Sequence, residues 1–203
     1  DRQGNFWLGT SAGLKLWNKK KENLITYKND PKNNSSLSNN FVTTIYEDRD
    51  SNLWIGTFRG FNLWNSKTGS FTQYVINPND SSLFGQDVSV ILRDKTGKLW
   101  IGEWGGGVNL FNRESNKFKN YLKGTRVKCL YEDADDVLWL GANDGLYKFD
   151  RTADAFIRYK VSGSFTEIPD VSGLVEDNQK YLWLQTSAGM MSVNPRRNET
   201  RNY

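Results

Sequence analysis

The sequence predicts an all-β fold, a β-propeller whose blades are four-stranded antiparallel sheets, and three observations carry that prediction. A tryptophan recurs at Trp7, Trp54, Trp100, Trp139 and Trp183, at separations of 47, 46, 39 and 44 residues. A period of roughly 40 to 50 residues is typical of propellers, solenoids and module arrays. Its neighbours recur in phase: Asp six residues earlier (Asp1, Asp48, Asp94, Asp133, Asp177) and Gly two residues later (Gly9, Gly56, Gly102, Gly141), with Gln185 as the exception. Between tryptophans run short β-branched or aromatic stretches parted by polar turns, and no helical period of useful length appears.

The second unit shows the strand pattern most clearly. Residues 42–46 are β-branched and aromatic, 47–52 form a polar turn, and strands follow at 53–57, 61–64 and 71–75. Strands are expected in unit three at 88–93, 99–103, 108–111 and 118–121, and in unit four at 127–132, 138–142, 146–149 and 156–159. Unit five places them at 171–176, 182–186, 190–193 and 200–203, and unit one lacks its innermost strand because the chain opens at the turn. That makes five blades, at 1–28, 41–76, 87–122, 126–160 and 170–203, with nineteen strands. A second Gly six residues after each tryptophan (Gly13, Gly60, Gly106, Gly145, Gly189) marks a tight turn that a Cβ would oppose, and the run 105–107 suggests one inserted residue. Trp54 and Trp64 lie ten residues apart across that turn and are expected to cover neighbouring blades, while Gly56 lets a neighbour come close. A third mark is an aromatic before Asn or Asp (Trp17, Trp64, Phe111, Phe149), followed by an apolar residue at Leu24, Phe71, Phe118 and Phe156.

Aromatic residues make up 14% of the chain and sit at fixed phases of the repeat, which points to packing. The net charge of +4 is spread over the units; the tight clusters, Lys19 to Lys21 and Arg196-Arg197, follow the Asn that opens a hairpin and read as solvated tips. No basic stripe on an organised element suggests contact with nucleic acid. A single cysteine, Cys129, lies in an apolar stretch and reads as a small buried hydrophobe, and no disulfide can form within the chain. No stretch approaches transmembrane length, so no membrane contact is expected of this segment. The opening at Asp1, inside a repeat and without initiator Met or signal peptide, predicts a piece of a longer protein.

The pattern Asp-x-x-Gly-x-x-Trp-Ile/Leu-Gly-Thr-x-x-Gly-Leu, seen at 1–14 and 48–61, resembles the two-component regulator propeller repeat. Ser51, Asp136 and Lys180 depart from it at the first Gly, and Glu103, Ala142 and Gln185 depart from it just after the tryptophan. The connectors at 29–38 and 77–83 are similar to those of hybrid two-component sensors of Bacteroidetes. The resemblance implies a seven-bladed propeller in the periplasmic part of a sensor histidine kinase, of which these five units are a portion. Such sensors detect glycan breakdown products and switch on polysaccharide-utilisation genes. It also implies an oligosaccharide ligand, a homo-oligomer, as a dimer, in the full sensor, and no cofactor.

Chemistry in the residues themselves is sparse. With no histidine, Ser-His-Asp catalysis and imidazole metal sites are excluded, and so is the His-based chemistry of propeller lyases. The Asp series repeats in every unit and so reads as structural; the one dense acidic stretch, Asp133 to Asp136, falls short of a calcium loop. Catalytic and metal-binding residues are therefore expected to be absent. Ligand-binding candidates are sought where the repeat is irregular, in the turns between strands two and three: Ser11-Ala12, Phe58-Arg59, Glu103-Trp104-Gly105, Asn143-Asp144 and Ser187-Ala188. These turns share a face with the blade connectors, and loops on a rigid scaffold are where binding residues gather. Trp104 has no counterpart in other units and either offers a ring face for a sugar or covers a blade edge; Arg59 is either a bidentate grip for an acidic sugar group or an ordinary surface residue, and Glu103, Asn143 and Asp144 offer hydrogen bonds. The alternative reading is a scaffold whose face and edges bind protein, including a second copy; a third, disfavoured by the absent histidine, is a propeller lyase.

Overall fold

The computed structural model describes residues 1–18, 22–75, 87–160 and 168–203. Blade one is β1 (Phe6–Thr10), β2 (Gly13–Asn18) and β3 (Asn23–Tyr27). Blade two is β4 (Val42–Glu47), β5 (Leu53–Thr57), β6 (Gly60–Asn65) and β7 (Ser70–Tyr74). Blade three is β8 (Val88–Arg93), β9 (Leu99–Glu103), β10 (Gly107–Asn112) and β11 (Lys117–Tyr121). Blade four is β12 (Val127–Glu132), β13 (Leu138–Ala142), β14 (Gly145–Asp150) and β15 (Ala155–Arg158). Blade five is β16 (Val171–Glu176), β17 (Leu182–Thr186), β18 (Gly189–Asn194) and β19 (Glu199–Asn202). Each blade is an antiparallel meander in sequence order, and β4, β8, β12 and β16 lie side by side as the innermost strands.

The expected strands are all present, with small shifts of boundary. Third strands start one residue early, on the glycine, because Gly60 pairs with Thr57 across the turn at a φ of 92°. In blade three that role belongs to Gly107 rather than Gly106. Gly107 pairs with Glu103, and a Cβ there would stand 2.3 Å from the Tyr121 carbonyl oxygen, just as one on Gly60 would stand 2.2 Å from that of Tyr74. The turn is thus one residue longer, Trp104-Gly105-Gly106. The lysine cluster at 19–21, the connector at 77–83 and residues 161–167 lie outside the described residues. The first connector is more than a polar loop: Leu37 is fully buried, and Asn62 accepts from the Ser38 N–H at 2.9 Å.

Five times over, a carboxylate six residues before the tryptophan accepts its indole N–H. The Oδ2–Nε1 distances are 2.8 Å (Asp1–Trp7), 3.1 Å (Asp48–Trp54), 3.0 Å (Asp94–Trp100), 2.7 Å (Asp133–Trp139) and 2.7 Å (Asp177–Trp183). The second oxygen of Asp48 collects the N–H groups of Asp50 and Asn52, and the others act alike, so one side chain closes the turn and orients the indole. The turn needs a left-handed residue, which is why Ser51, Asp136 and Lys180, the departures from the first Gly, take φ values of 61°, 62° and 68°.

The tryptophans then stack the blades. Trp54 packs toward Val88, Leu99, Ile101 and Phe111 of blade three, whereas Trp64 turns the other way, against Trp7 and Tyr27 of blade one. The glycine after each tryptophan lets the next blade approach: a Cβ on Gly102 would lie 2.6 Å from Val90 and 2.7 Å from Val127. Gln185 breaks the pattern without clashing because its partner across the ladder is Gly173, where the other blades have Thr44, Val90 or Cys129. Acidic residues at strand ends tie blades together as well: Glu47, Glu132 and Glu176 accept the N–H groups of Arg2, Lys95 and Ala134 in the preceding blade. The outer faces of blades one and five leave Phe6, Leu8, Leu24, Val175 and Met190 exposed.

Two outcomes are expected. Gly102→Ala should cost about 1–3 kcal/mol in urea unfolding, since neither valine can withdraw without disturbing a blade contact. Burial alone would raise the carboxyls of Asp48 and Asp94. The hydrogen bonds, from Asn52 and Trp54 to the first and from Thr96 and Trp100 to the second, nevertheless hold both below the ordinary value. A carboxyl depressed in the folded state stabilises above its unfolded value, near about 4, and that contribution is lost as pH falls toward the folded value. Stability should therefore hold near neutrality and fall below about pH 4, and Asp94→Asn should lower the neutral value by about 1–3 kcal/mol while flattening the acid limb.

Candidate functional site

One face of the molecule is built by a repeated backbone contact. In each of blades two to five, the residue after the second strand donates its N–H to the carbonyl of the residue just before the first strand. The pairs are Phe58 with Phe41 (3.2 Å), Trp104 with Asp87 (2.9 Å), Asn143 with Arg126 (3.2 Å) and Ser187 with Asp170 (3.2 Å). The backbone is regular, so the side chains it presents form an arc whose chemistry changes from blade to blade. It runs from two phenylalanines, through Asp and Trp, to Arg and Asn, and then to Asp and Ser.

A bulge repeats just inside the arc, at the second residue of each innermost strand: Thr43, Ser89, Lys128 and Ser172. Bulges re-aim a side chain and are frequent beside functional sites. Thr43 and Ser89 use theirs to donate to the next blade's carbonyls, of Val88 at 2.5 Å and Val127 at 2.7 Å. Lys128 breaks the series. Its ammonium reaches Asp170 of the next blade at 2.5 Å and lies 5.9 Å from the centroid of the Trp104 ring.

Blades two and three enclose a pocket of about 540 Å³ on this face, lined by Phe41, Val42, Thr43, Phe58, Asp87, Ser89 and Trp104. Phe41 and Phe58 stack at 3.9 Å with an interplanar angle of 12°. The three rings are 40%, 38% and 50% exposed for Phe41, Phe58 and Trp104, unlike the buried rings that stack the blades. Thr43 and Ser89 give the wall hydroxyls, and Asp87 gives it a carboxylate.

The candidates named from sequence are dispersed. Trp104 lines the pocket, and Asn143 stands on the arc, its Oδ1 accepting the Arg126 N–H at 3.0 Å. Arg59 is exposed at the outer tip of its turn and does not line the pocket. Asp144 accepts from the Tyr147 hydroxyl at 2.7 Å; burial first, and that bond second, push the phenol up to about 12. Glu103 is 1% exposed, beneath the turn that carries Trp104, so it supports the turn from inside. Sequence reasoning overlooked Phe41, Asp87, Lys128 and Asp170, and used Phe58 only as part of a turn. The available signal was contrast between units: Phe41 stands where the others carry Asp87, Arg126 and Asp170, and Lys128 stands where they carry Thr43, Ser89 and Ser172.

Burial lifts the Cys129 thiol to about 12, and its Sγ sits in the interface with blade five, 4.0 Å from the Val171 carbonyl oxygen. The acidic stretch is spoken for: Asp133 holds Trp139, Asp135 pairs with Arg196, and Asp136 pairs with Lys95. Among the described residues no group of three or more His, Cys, Asp or Glu is placed to hold a metal ion.

The model of the two component regulator propeller matches residues 36–59 and 121–144. Each match runs from a blade connector through the first two strands to the turn that closes the arc. Two segments of this chain thus match the two-component regulator propeller repeat. The chain aligns with the extracellular domain of a protein described as hybrid two component system BT3049 from B. thetaiotaomicron. The identity is 25% and the TM-score 0.81, over 98% of this chain and 27% of that one. It also aligns with the extracellular domain of BT4673 from the same organism, described as a one component system, at 23% identity and a TM-score of 0.76, over 94% and 26% of the two chains. PorZ, a surface component of the type-IX secretion system of Porphyromonas gingivalis, shares the fold at 14% identity and a TM-score of 0.71, over 96% and 31%. The chain spans about a quarter to a third of these proteins. No curated protein matches the sequence.

Because the pocket rings are half exposed, Trp104→Ala and Phe58→Ala should change unfolding free energy by less than about 1.5 kcal/mol, whereas Trp100→Ala, at a buried ring, should cost about 3–5 kcal/mol. Chemical denaturation of the three variants side by side checks this.

Proposed function

We propose that this regulator propeller is a ligand-sensing segment of the periplasmic region of a hybrid two-component sensor histidine kinase, and that its ligand is a glycan-derived oligosaccharide. The observation that carries the reading is the pocket between blades two and three, where exposed rings stand among hydroxyls and a carboxylate. Sugars present apolar C–H faces edged by hydroxyls, and such a wall meets both at once. The likeness to extracellular domains of Bacteroides signalling proteins supports the setting. A ligand here would touch blade two through Phe41 and Phe58 and blade three through Asp87 and Trp104. Binding would therefore favour one arrangement of the two blades and bias the machinery that switches on polysaccharide-utilisation genes.

The exposed apolar faces of blades one and five favour a second reading, a scaffold that associates with protein or with its own copy. Thermal unfolding of the intact protein against a panel of plant and host oligosaccharides separates the two, since a ligand that binds only the folded state raises its melting temperature. Sensing predicts a rise with one sugar class that Trp104→Ala abolishes. A flat response to every sugar, together with a concentration-dependent dimer in sedimentation, would favour the scaffold.

A further inference from the structure

The pocket's lining is uneven in one respect that the glycan reading leaves unused. Among the described residues, its only charged lining side chain is Asp87, and it stands with three aromatic rings, Phe41, Phe58 and Trp104. Ring faces are electronegative and attract cations, and rings combined with a carboxylate are the usual receptor for an alkylated or protonated amine. An acidic sugar, by contrast, would have to give up its water beside Asp87.

The surrounding charges do not reverse that preference. Lys128 is near Trp104, but its charge is matched by Asp170 at 2.5 Å, and the pair lies outside the pocket lining. Arg126 meets Trp104 across a backbone bridge, and neither Arg126 nor Arg59 lines the pocket. The hydroxyls of Thr43 and Ser89 are committed to carbonyls of the neighbouring blades, so they accept hydrogen bonds from a ligand more readily than they donate. Acceptors and π faces thus dominate the wall.

We infer that the pocket selects a ligand carrying a cationic amine, held between the rings and the carboxylate of Asp87. Resting on the glycan reading, that ligand is an oligosaccharide with a free, protonated amino sugar rather than a uronate or a sulfate ester. Asp87 supplies the charge, Trp104 and the Phe41–Phe58 stack supply the ring faces, and a neutral N-acetyl group in the same place would lose the attraction.

The test is calorimetric titration of the intact protein near about pH 6, where an amino sugar is protonated. The probes are the β-1,4-linked glucosamine disaccharide, its N-acetylated counterpart, the matching glucuronate disaccharide, and choline as a cation without a sugar. The expected result is that the amine disaccharide binds at least about tenfold more tightly than the acetylated one, with no measurable uptake of the glucuronate. Asp87→Asn should bring the amine and acetyl forms within about twofold of each other, while circular dichroism shows the fold unchanged. If the acetylated or acidic sugar binds as well as the amine, the cation inference fails and the glycan reading survives. If choline binds in an Asp87-dependent way and no sugar does, the cage stands and the glycan reading fails. Binding of none of the four overturns the inference.

Discussion

An indole N–H needs an acceptor, above all where it is buried, as in blades two to four, and in every blade the carboxylate six residues earlier supplies one. Leaving that donor unmet would cost as much as several ordinary contacts together stabilise. The same carboxylate gathers the N–H groups of its own turn, so turn closure and ring placement are a single event. With the ring fixed, the residues that meet it on the next blade are fixed as well: Trp100 lies edge-on to Phe149 and Phe156 at 4.9 and 5.6 Å. The blade stack follows from one local bond repeated five times.

Close approach is the second requirement, and glycine meets it on the strand next to the innermost one. The blade-five exception makes the point sharper. Gln185 sits where Gly56, Gly102 and Gly141 sit in earlier blades, and the space it needs is released by Gly173 opposite. What is preserved is the room shared by a ladder pair, whichever partner lacks a side chain. A regular inner ring of strands lets the residues at its rim vary, because a repeated backbone bond holds each rim pair together.

That division explains the character of the candidate face. The arc from Phe41 to Ser187 repeats one backbone contact in each of blades two to five, and the bulged residues inside it are re-aimed without breaking the sheet. Rings gather on blades two and three, whereas ion-paired groups gather on blades four and five. A ligand seated on the rings would meet two blades already tied to each other through Thr43 and the Val88 carbonyl, a contact able to register its presence.

Much of the fold was legible in the chain because propeller blades are local objects. Each strand pairs with its neighbour in sequence, so turn residues and β-branched or aromatic stretches suffice to locate nineteen strands and the packing role of Trp54 and Trp64. The extra residue in the turn at 103–107 could also be suspected from its three glycines. Legibility ended where meaning depends on which units stand side by side. Phe41 and Trp104 are 63 positions apart and share a pocket only because blades stack, and Lys128 meets Asp170 for the same reason. Glu103, which reads as an exposed turn acid, is instead buried under that turn. By itself the sequence determined the blade, since the blade is made of short-range hydrogen bonds between residues a few positions apart. Tertiary structure decided the site, since the site is made of side chains that the stacking of separate blades brings to one face.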